Sequence, residues 1–271
     1  MIKKHIASTL FLIASGSTYA QTTCADIHGT PIHPPLNIQS GTICFVQEAL
    51  SDTKTGAPIG ADSIALYYIA LGGAPTKATG RGMLYDDTPG QIVDAFSMKT
   101  GDEKIERIFV IHAFEVRASL AEPNSSGKFY SVDVFYLNHT TLTRDDRASN
   151  WFGSDYSYLS DRAQITYEFP FQSRGDVQRA IASPLSVLMD HSGNVPVTVK
   201  YKARLFDGPD IKSKTRKYLI AGDQATVGDV TAGWCQVNYV GGAKPLTMWM
   251  PCSALNPGIQ PTDQRITRSG H

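Results

Sequence analysis

The feature that most constrains this chain is a succession of short β-prone runs, separated by turn clusters, along most of its 271 residues. The runs in its first two thirds are 42–50 (TICFVQEAL), 63–71 (SIALYYIAL), 82–85, 92–98, 107–120, 129–137 and 163–171. Turn-rich segments at 54–60, 72–75, 100–102 and 122–127 divide them. Connections of hairpin length between β-branched and aromatic runs predict an antiparallel sheet or sandwich. Within 105–116, Phe109, Ile111 and Ala113 alternate with Ile108, Val110, His112 and Phe114. The first set ends on Glu115 and the second, which continues to Val116, has His112 as its one polar group, so this strand is expected to be largely buried on both faces, with His112 as a hydrogen-bonded core residue.

One helix is expected over 176–189. Asp176 would cap it, and Val177, Ile181 and Leu185 keep helical spacing. Pro184 should kink it or end it near Ile181. Residues 24–44, with Pro31, Pro34 and Pro35, read as an extended solvated loop carrying His28 and His33. Residues 140–160 read as a long polar and aromatic surface loop, the kind of segment that often carries recognition. Residues 256–271 lack a core-forming run and read as a disordered tail.

The start of the chain points to export. Lys3 and Lys4 precede a nine-residue apolar core at 6–14, and Thr18-Tyr19-Ala20 supplies small residues where a signal peptidase cuts. The apolar run is too short to span a bilayer. Cys24 lacks the small and apolar residues that precede a lipidated bacterial cysteine, so a mature chain without a membrane anchor is expected from near Gln21. Without Lys3 and Lys4 that chain carries 23 basic and 25 acidic residues, which implies no basic face suited to nucleic acid.

Four cysteines, Cys24, Cys44, Cys235 and Cys252, form two close pairs at opposite ends. In an oxidising compartment they suggest two disulfides. Three connectivities exist, and the local one, Cys24–Cys44 with Cys235–Cys252, is the simplest. Zinc is the alternative, but the spacings are not C-x-x-C, and His28 and His33, set across Pro31, fit no usual metal pattern.

Residues 200–255 hold five further short strand candidates, 201–206, 217–220, 224–227, 234–240 and 246–252, which suggest a small barrel. If Cys235 lies opposite Cys252, Val237 faces Met250 and Tyr239 faces Met248. That apolar face then holds both sulfurs, and Trp234, Gln236, Asn238, Thr247 and Trp249 fall on the other. Two readings stay open for the tryptophans. They form an aromatic platform facing water, or they pack against the preceding domain.

The same stretch resembles the bacterial SH3 domain family. The matching residues are Lys217-Tyr218-Leu219-Ile220 with Gly222-Asp223, then Gly233-Trp234 with Val237 and Tyr239, then Trp249 and Leu255. The match covers roughly 55 of the 271 residues. It departs from the family pattern at Met248, where a glycine usually precedes the last tryptophan, and in its two cysteines. The resemblance implies an SH3-like barrel at 196–255, following the β-rich domain that the strand runs indicate at 21–195, and a role in binding cell-wall peptides or a partner protein. It carries no catalytic residue.

There is no G-x-S-x-G, H-E-x-x-H, Gly-rich phosphate loop or EF-hand, so no catalytic residue, cofactor or metal site is assigned. The function expected is that of a periplasmic or secreted non-enzymatic binding protein, mainly β, taking a peptidoglycan peptide or a periplasmic protein. The residues expected to bind are Trp234, Trp249, Asn238 and Tyr218, with Asp145, Trp151 and Tyr156 forming a second surface. One alternative is an immunity protein that blocks a periplasmic toxin or a lysozyme-type enzyme. The other is a wall-active hydrolase anchored by the SH3-like domain.

Overall fold

The structure, a computed structural model, describes residues 22–258 apart from 53, 86–87, 102–104, 117–123 and 242–243. The expected signal peptide and residues 259–271 of the expected tail lie outside the described residues. The fold is mainly β and antiparallel. β1 (Thr30–Ile38), β2 (Gly41–Ser51), β3 (Pro58–Ala70) and β4 (Pro75–Lys77) form a first sheet in chain order. β1 occupies the segment expected to be a loop. It is an edge strand, and its ladder slips between Pro31 and His33 and again between His33 and Leu36. Those slips accommodate prolines, which have no N–H to donate.

β5 (Gln91–Thr100), β6 (Ile105–Glu115), β7 (Lys128–Asn138) and β8 (Thr141–Arg144) form the second sheet, and β9 (Ser154–Tyr156) also pairs with β7. The run at 82–85 forms no strand; its Met83 is buried between the two sheets. One face of the second sheet packs Ile108, Val110 and Phe135 against Ile43, Phe45, Leu66 and Tyr68 of the first. Its other face sets Phe109, Ile111, Val132 and Val134 against the rest of the chain. β6 is therefore sandwiched, and every residue from Arg107 to Phe114 is buried, as its two apolar faces predict.

The remaining elements are α1 (Asp146–Phe152), β10 (Tyr158–Asp161), β11 (Gln164–Glu168), α2 (Arg174–Ile181) and α3 (Val187–Asp190), then β12 (Val195–Val199), β13 (Ala203–Phe206), β14 (Lys214–Leu219), β15 (Gln224–Thr231), β16 (Trp234–Tyr239), β17 (Leu246–Pro251) and β18 (Leu255–Pro257). α1 lies inside the segment expected to be a surface loop. Asp145 is its N-cap, accepting from the Ala148 backbone N–H at 2.9 Å. α2 begins earlier than expected. Ser173 is the cap, and Asp176 is the third-position partner of a capping box. The helix ends at Ile181, ahead of Pro184, as expected.

The last seven strands make one sheet in the order β14-β13-β17-β16-β15-β12-β18. It is open rather than the closed barrel expected, with β14 and β18 at its ends. β12 and β18 are two strands more than the sequence indicated, and β18 draws Asn256 and Pro257 out of the supposed tail. The final hairpin pairs Cys235 with Met250, Val237 with Met248 and Tyr239 with Leu246. This register is two residues from the one expected. A shift by two keeps every side chain on its face.

Both local cysteine pairs are disulfides. No helix among the described residues is long and apolar enough to cross a membrane. One hydrophobic cluster runs from the second sheet through α1, α2 and α3 into the last sheet. The expected division at 195/196 is thus a change of sheet without a break in the core.

Candidate binding cleft

Where the β10–β11 hairpin and α2 meet the last sheet, the surface opens into a cleft of about 1010 Å³. One wall is the segment from Thr166 through Phe169, Pro170, Phe171 and Gln172 into α2, which contributes Asp176 and Arg179. The opposite wall is the β15–β16 turn with Trp234, continued by Pro251, Cys252 and Ser253. Trp151 of α1 and Leu185 form part of the lining between them, and Lys200 stands at the rim.

The geometry of the walls follows from a few local constraints. β15 and β16 are joined at Ala232 and Gly233, both with positive φ (49° and 78°). Val230 and Thr231 belong to β15. A side chain at residue 233 would come within 2.6 Å of the Pro170 ring, so the close approach of the two walls requires glycine there. The turn is tied to the main chain of α1 by two hydrogen bonds. Ala232 N–H donates to the Phe152 carbonyl at 3.1 Å, and Thr231 Oγ1 donates to the Asn150 carbonyl at 2.9 Å. Cys252 N–H donates to the Gly233 carbonyl at 2.8 Å, and the disulfide to Cys235 fixes the same corner covalently.

Trp234 is the pivot. Its ring stacks on Tyr167 (centroids 5.8 Å apart, planes 11° apart) and meets Phe206 edge-on at 4.8 Å. It is only 2% exposed, so of the two readings left open for it Trp234 follows the one in which it packs against the preceding part of the chain, not the solvent-facing platform. The cause is Tyr167, which crosses from β11 and donates its hydroxyl to the Ala232 carbonyl at 2.8 Å. Burial first, and the Asp155 carboxylate second, push the Tyr167 phenol far above its ordinary range, so it remains a donor. Trp151, 5% exposed, stacks on Phe171 at 5.8 Å. The ring nitrogens of Trp151 and Trp234 are both shielded from solvent and have no hydrogen-bond partner among the described residues. Buried donors without partners are rare and costly. Here two occur on the walls of one cleft.

The other expected site residues lie elsewhere. Trp249 is half-buried, paired with Gln236 and Phe206 on the last sheet. Asn238 accepts from Thr247 at 2.7 Å and donates to Asn194 at 3.4 Å. Tyr218 is exposed on β14 beneath the Lys202 ammonium. Asp145, expected on a binding surface, caps α1 and lies 3.2 Å from the buried Arg107. Tyr156 packs edge-on against Phe129 at 5.3 Å. Of the seven residues expected to bind, the fold brings Trp151 and Trp234 together. Tyr167, Arg179 and Lys200 were missed; the Tyr-Glu-Phe-Pro-Phe run at 167–171 was the one local signal for this wall.

The topology also gathers Ser131, His112 and Asp133 between the two N-terminal sheets. The serine hydroxyl donates to Asp133 at 3.0 Å, and His112 Nε2 lies 2.8 Å from the Pro89 carbonyl, to which it donates. Asp133 is further held by Arg144 at 2.8 Å. Serine and histidine do not bond to each other, so this group is a buried polar network and not a nucleophile–base pair. Burial holds the His112 imidazole below its ordinary pKa, against the opposing pull of the Pro89 carbonyl and Asp133. No family model, curated protein or solved structure matches this chain.

Proposed function

We propose that this chain is an exported binding protein and that the cleft between the β10–β11 hairpin, α2 and the last sheet takes an extended peptide segment, from the cell wall or from a partner protein. The observation that carries this reading is the pair of unpartnered indole N–H groups on the walls of one aromatic and proline-lined cleft. Peptide carbonyls are the natural acceptors for such donors, and flat aromatic walls accommodate extended backbones with little ordering cost. Neither nitrogen touches solvent, so the walls spread slightly when the segment enters. Two disulfides fit the oxidising compartment that this function needs. The SH3-like resemblance of 196–255 points to the same class of role.

The test is titration of the full chain with a soluble peptidoglycan stem peptide and with intact sacculi, followed by indole fluorescence and by amide shifts around Phe169 and Gly233. Binding should perturb both. Trp234→Phe, which removes the N–H and keeps the ring, should weaken it about three- to tenfold, the worth of one neutral hydrogen bond. A stem peptide that binds without moving these signals would discard the cleft as its site.

Inhibition of a partner enzyme is a second reading, favoured by the β10–β11 hairpin. Its two-residue tip, Arg162 and Ala163, has both φ angles positive, and Ile165 beside it is 62% exposed. A stiff ribbon with an open apolar residue suits insertion into another protein's groove. Loss of inhibition of a lysozyme-type enzyme on Ile165→Asp, with the cleft intact, would support it. An inhibitor that works unchanged with that substitution would remove it.

A further inference from the structure

The cleft leaves out a cationic surface on β13 and β14. Residues 201–218 hold six of the 25 basic residues, Lys202, Arg204, Lys212, Lys214, Arg216 and Lys217, and only two of the 25 acidic ones, Asp207 and Asp210. The rest of the chain is left with 19 basic against 23 acidic, so charge is segregated in a chain that is neutral as a whole. Both carboxylates fall in the loop between the two strands, where Asp210 accepts from the Lys212 backbone N–H at 2.9 Å. The strands themselves and Lys202 carry only positive charge.

Four arginines elsewhere are matched to carboxylates: Arg107 with Asp145 and Asp190, Arg144 with Asp133 and Asp146, Arg174 with Asp94, Arg179 with Asp176; Arg147 instead donates to the Leu188 carbonyl and the Ser192 hydroxyl. Among the described residues, no carboxylate pairs with Lys202, Arg204, Lys214, Arg216 or Lys217, and all five are exposed. Two open tyrosines belong to the same segment. Tyr201 is 51% and Tyr218 is 53% exposed. Arg204 stands opposite Tyr218 in the ladder, and the Lys202 ammonium sits 4.1 Å from the centre of that ring.

Lysine on an end strand such as β14 ordinarily serves to block edge-to-edge pairing. Two unpaired arginines and two open tyrosines exceed what that device requires, and they are the residue types that anchor protein interfaces. From this charge complementarity we infer that β13 and β14 dock an acidic surface of a partner protein. Arg204 and Arg216 each take a carboxylate in bidentate fashion, and Tyr218 packs between them under Lys202. A membrane surface would call for several apolar side chains free to insert; beside these strands the open aliphatic side chain is Ile220, and one side of the Tyr218 ring is already covered by Lys202. This surface shares no residue with the cleft.

The probe is an oligoglutamate peptide of about 20 residues, titrated into the full chain and read by amide shifts over 202–219. Binding is expected at about 0.05 M salt and should weaken at least tenfold at about 0.5 M, where charges are screened over a few ångströms. Arg204→Glu with Arg216→Glu should abolish it and leave the thermal melt and the cleft signals unchanged. Should that variant misfold, Lys202→Glu with Lys217→Glu carries the same test. No shift over 202–219, equal binding by the reversed variant, or capture by phosphatidylglycerol vesicles in preference to the peptide would overturn the inference.

Discussion

The two disulfides close loops of similar length in regions of opposite character. Cys24–Cys44 ties a short turn to β2 within a small cluster of Ile27, Val46 and Ile69 in the first sheet. Cys235–Cys252 pins a wall of the cleft, where one of its sulfurs belongs to a residue of the lining. The first region is a sandwich whose neighbours in space are largely neighbours in sequence. The second is assembled from segments as far apart as Trp151 and Cys252. A cross-link in the first contributes stability alone. In the second it also fixes the shape of one wall of the cleft.

The largest expected effect comes from the residue that joins the regions. Arg107 of β6, 6% exposed, donates to Thr100 at 2.8 Å and pairs with Asp190 at the end of α3 and with Asp145 at the cap of α1. Arg107→Met strands two carboxylates and should cost about 3–5 kcal/mol in denaturant unfolding. If the two regions are one cooperative unit they will melt together; separate transitions in this variant would show that the sandwich holds alone.

Next come the cross-links. Cys24→Ser with Cys44→Ser and Cys235→Ser with Cys252→Ser should each lose on the order of 3 kcal/mol. Peptide affinity at the cleft should fall only for the second pair. Equal affinities in calorimetry would erase the contrast between the two regions.

Acid should reach the sandwich through His112. Its folded pKa lies below the unfolded value of 6.5, so the unfolded chain binds the proton first. The stability is complete above about 6.5 and is lost as pH falls below it, toward the depressed folded pKa. Asp133, Ser131 and Arg144 are the polar groups beside it. His112→Gln should flatten the difference in unfolding midpoint between pH 7.5 and 5.5; an unchanged difference would assign the acid response to other groups.

The smallest effect is at the hairpin tip. Ala163 has φ 66°, a region where glycine is at ease, so Ala163→Gly should stabilise by about 1 kcal/mol or less in thermal melts.

Strands whose partners are close along the chain were legible from local pattern. β2, β3, β5, β6 and β7 fall on their expected runs because alternation and β-branched composition are local signals. β1 was missed because three prolines mask a strand that survives only at an edge with slipped register. α1 was missed because seven residues give too short a helical period to detect, although Asp145 was in place as its cap. At the cleft, the parity of the last hairpin was legible and placed Trp234 and Trp249 on one face. Whether that face met water was not. Tyr167 covers Trp234 from 67 residues earlier in the chain, and no local pattern announces such a contact.

The sequence by itself therefore determined that this protein is mainly β and where most of its strands lie, because each of these depends on residues within a hairpin's reach, and it made the local cysteine pairing the simplest of three. The tertiary structure decided which surfaces stay open. It buried Trp234, left Tyr218 among unpaired cations and formed the cleft from α1, β11, α2 and the last sheet. Burial is a property of every layer packed on a residue, and those layers come from chain segments whose meeting only the folded core specifies.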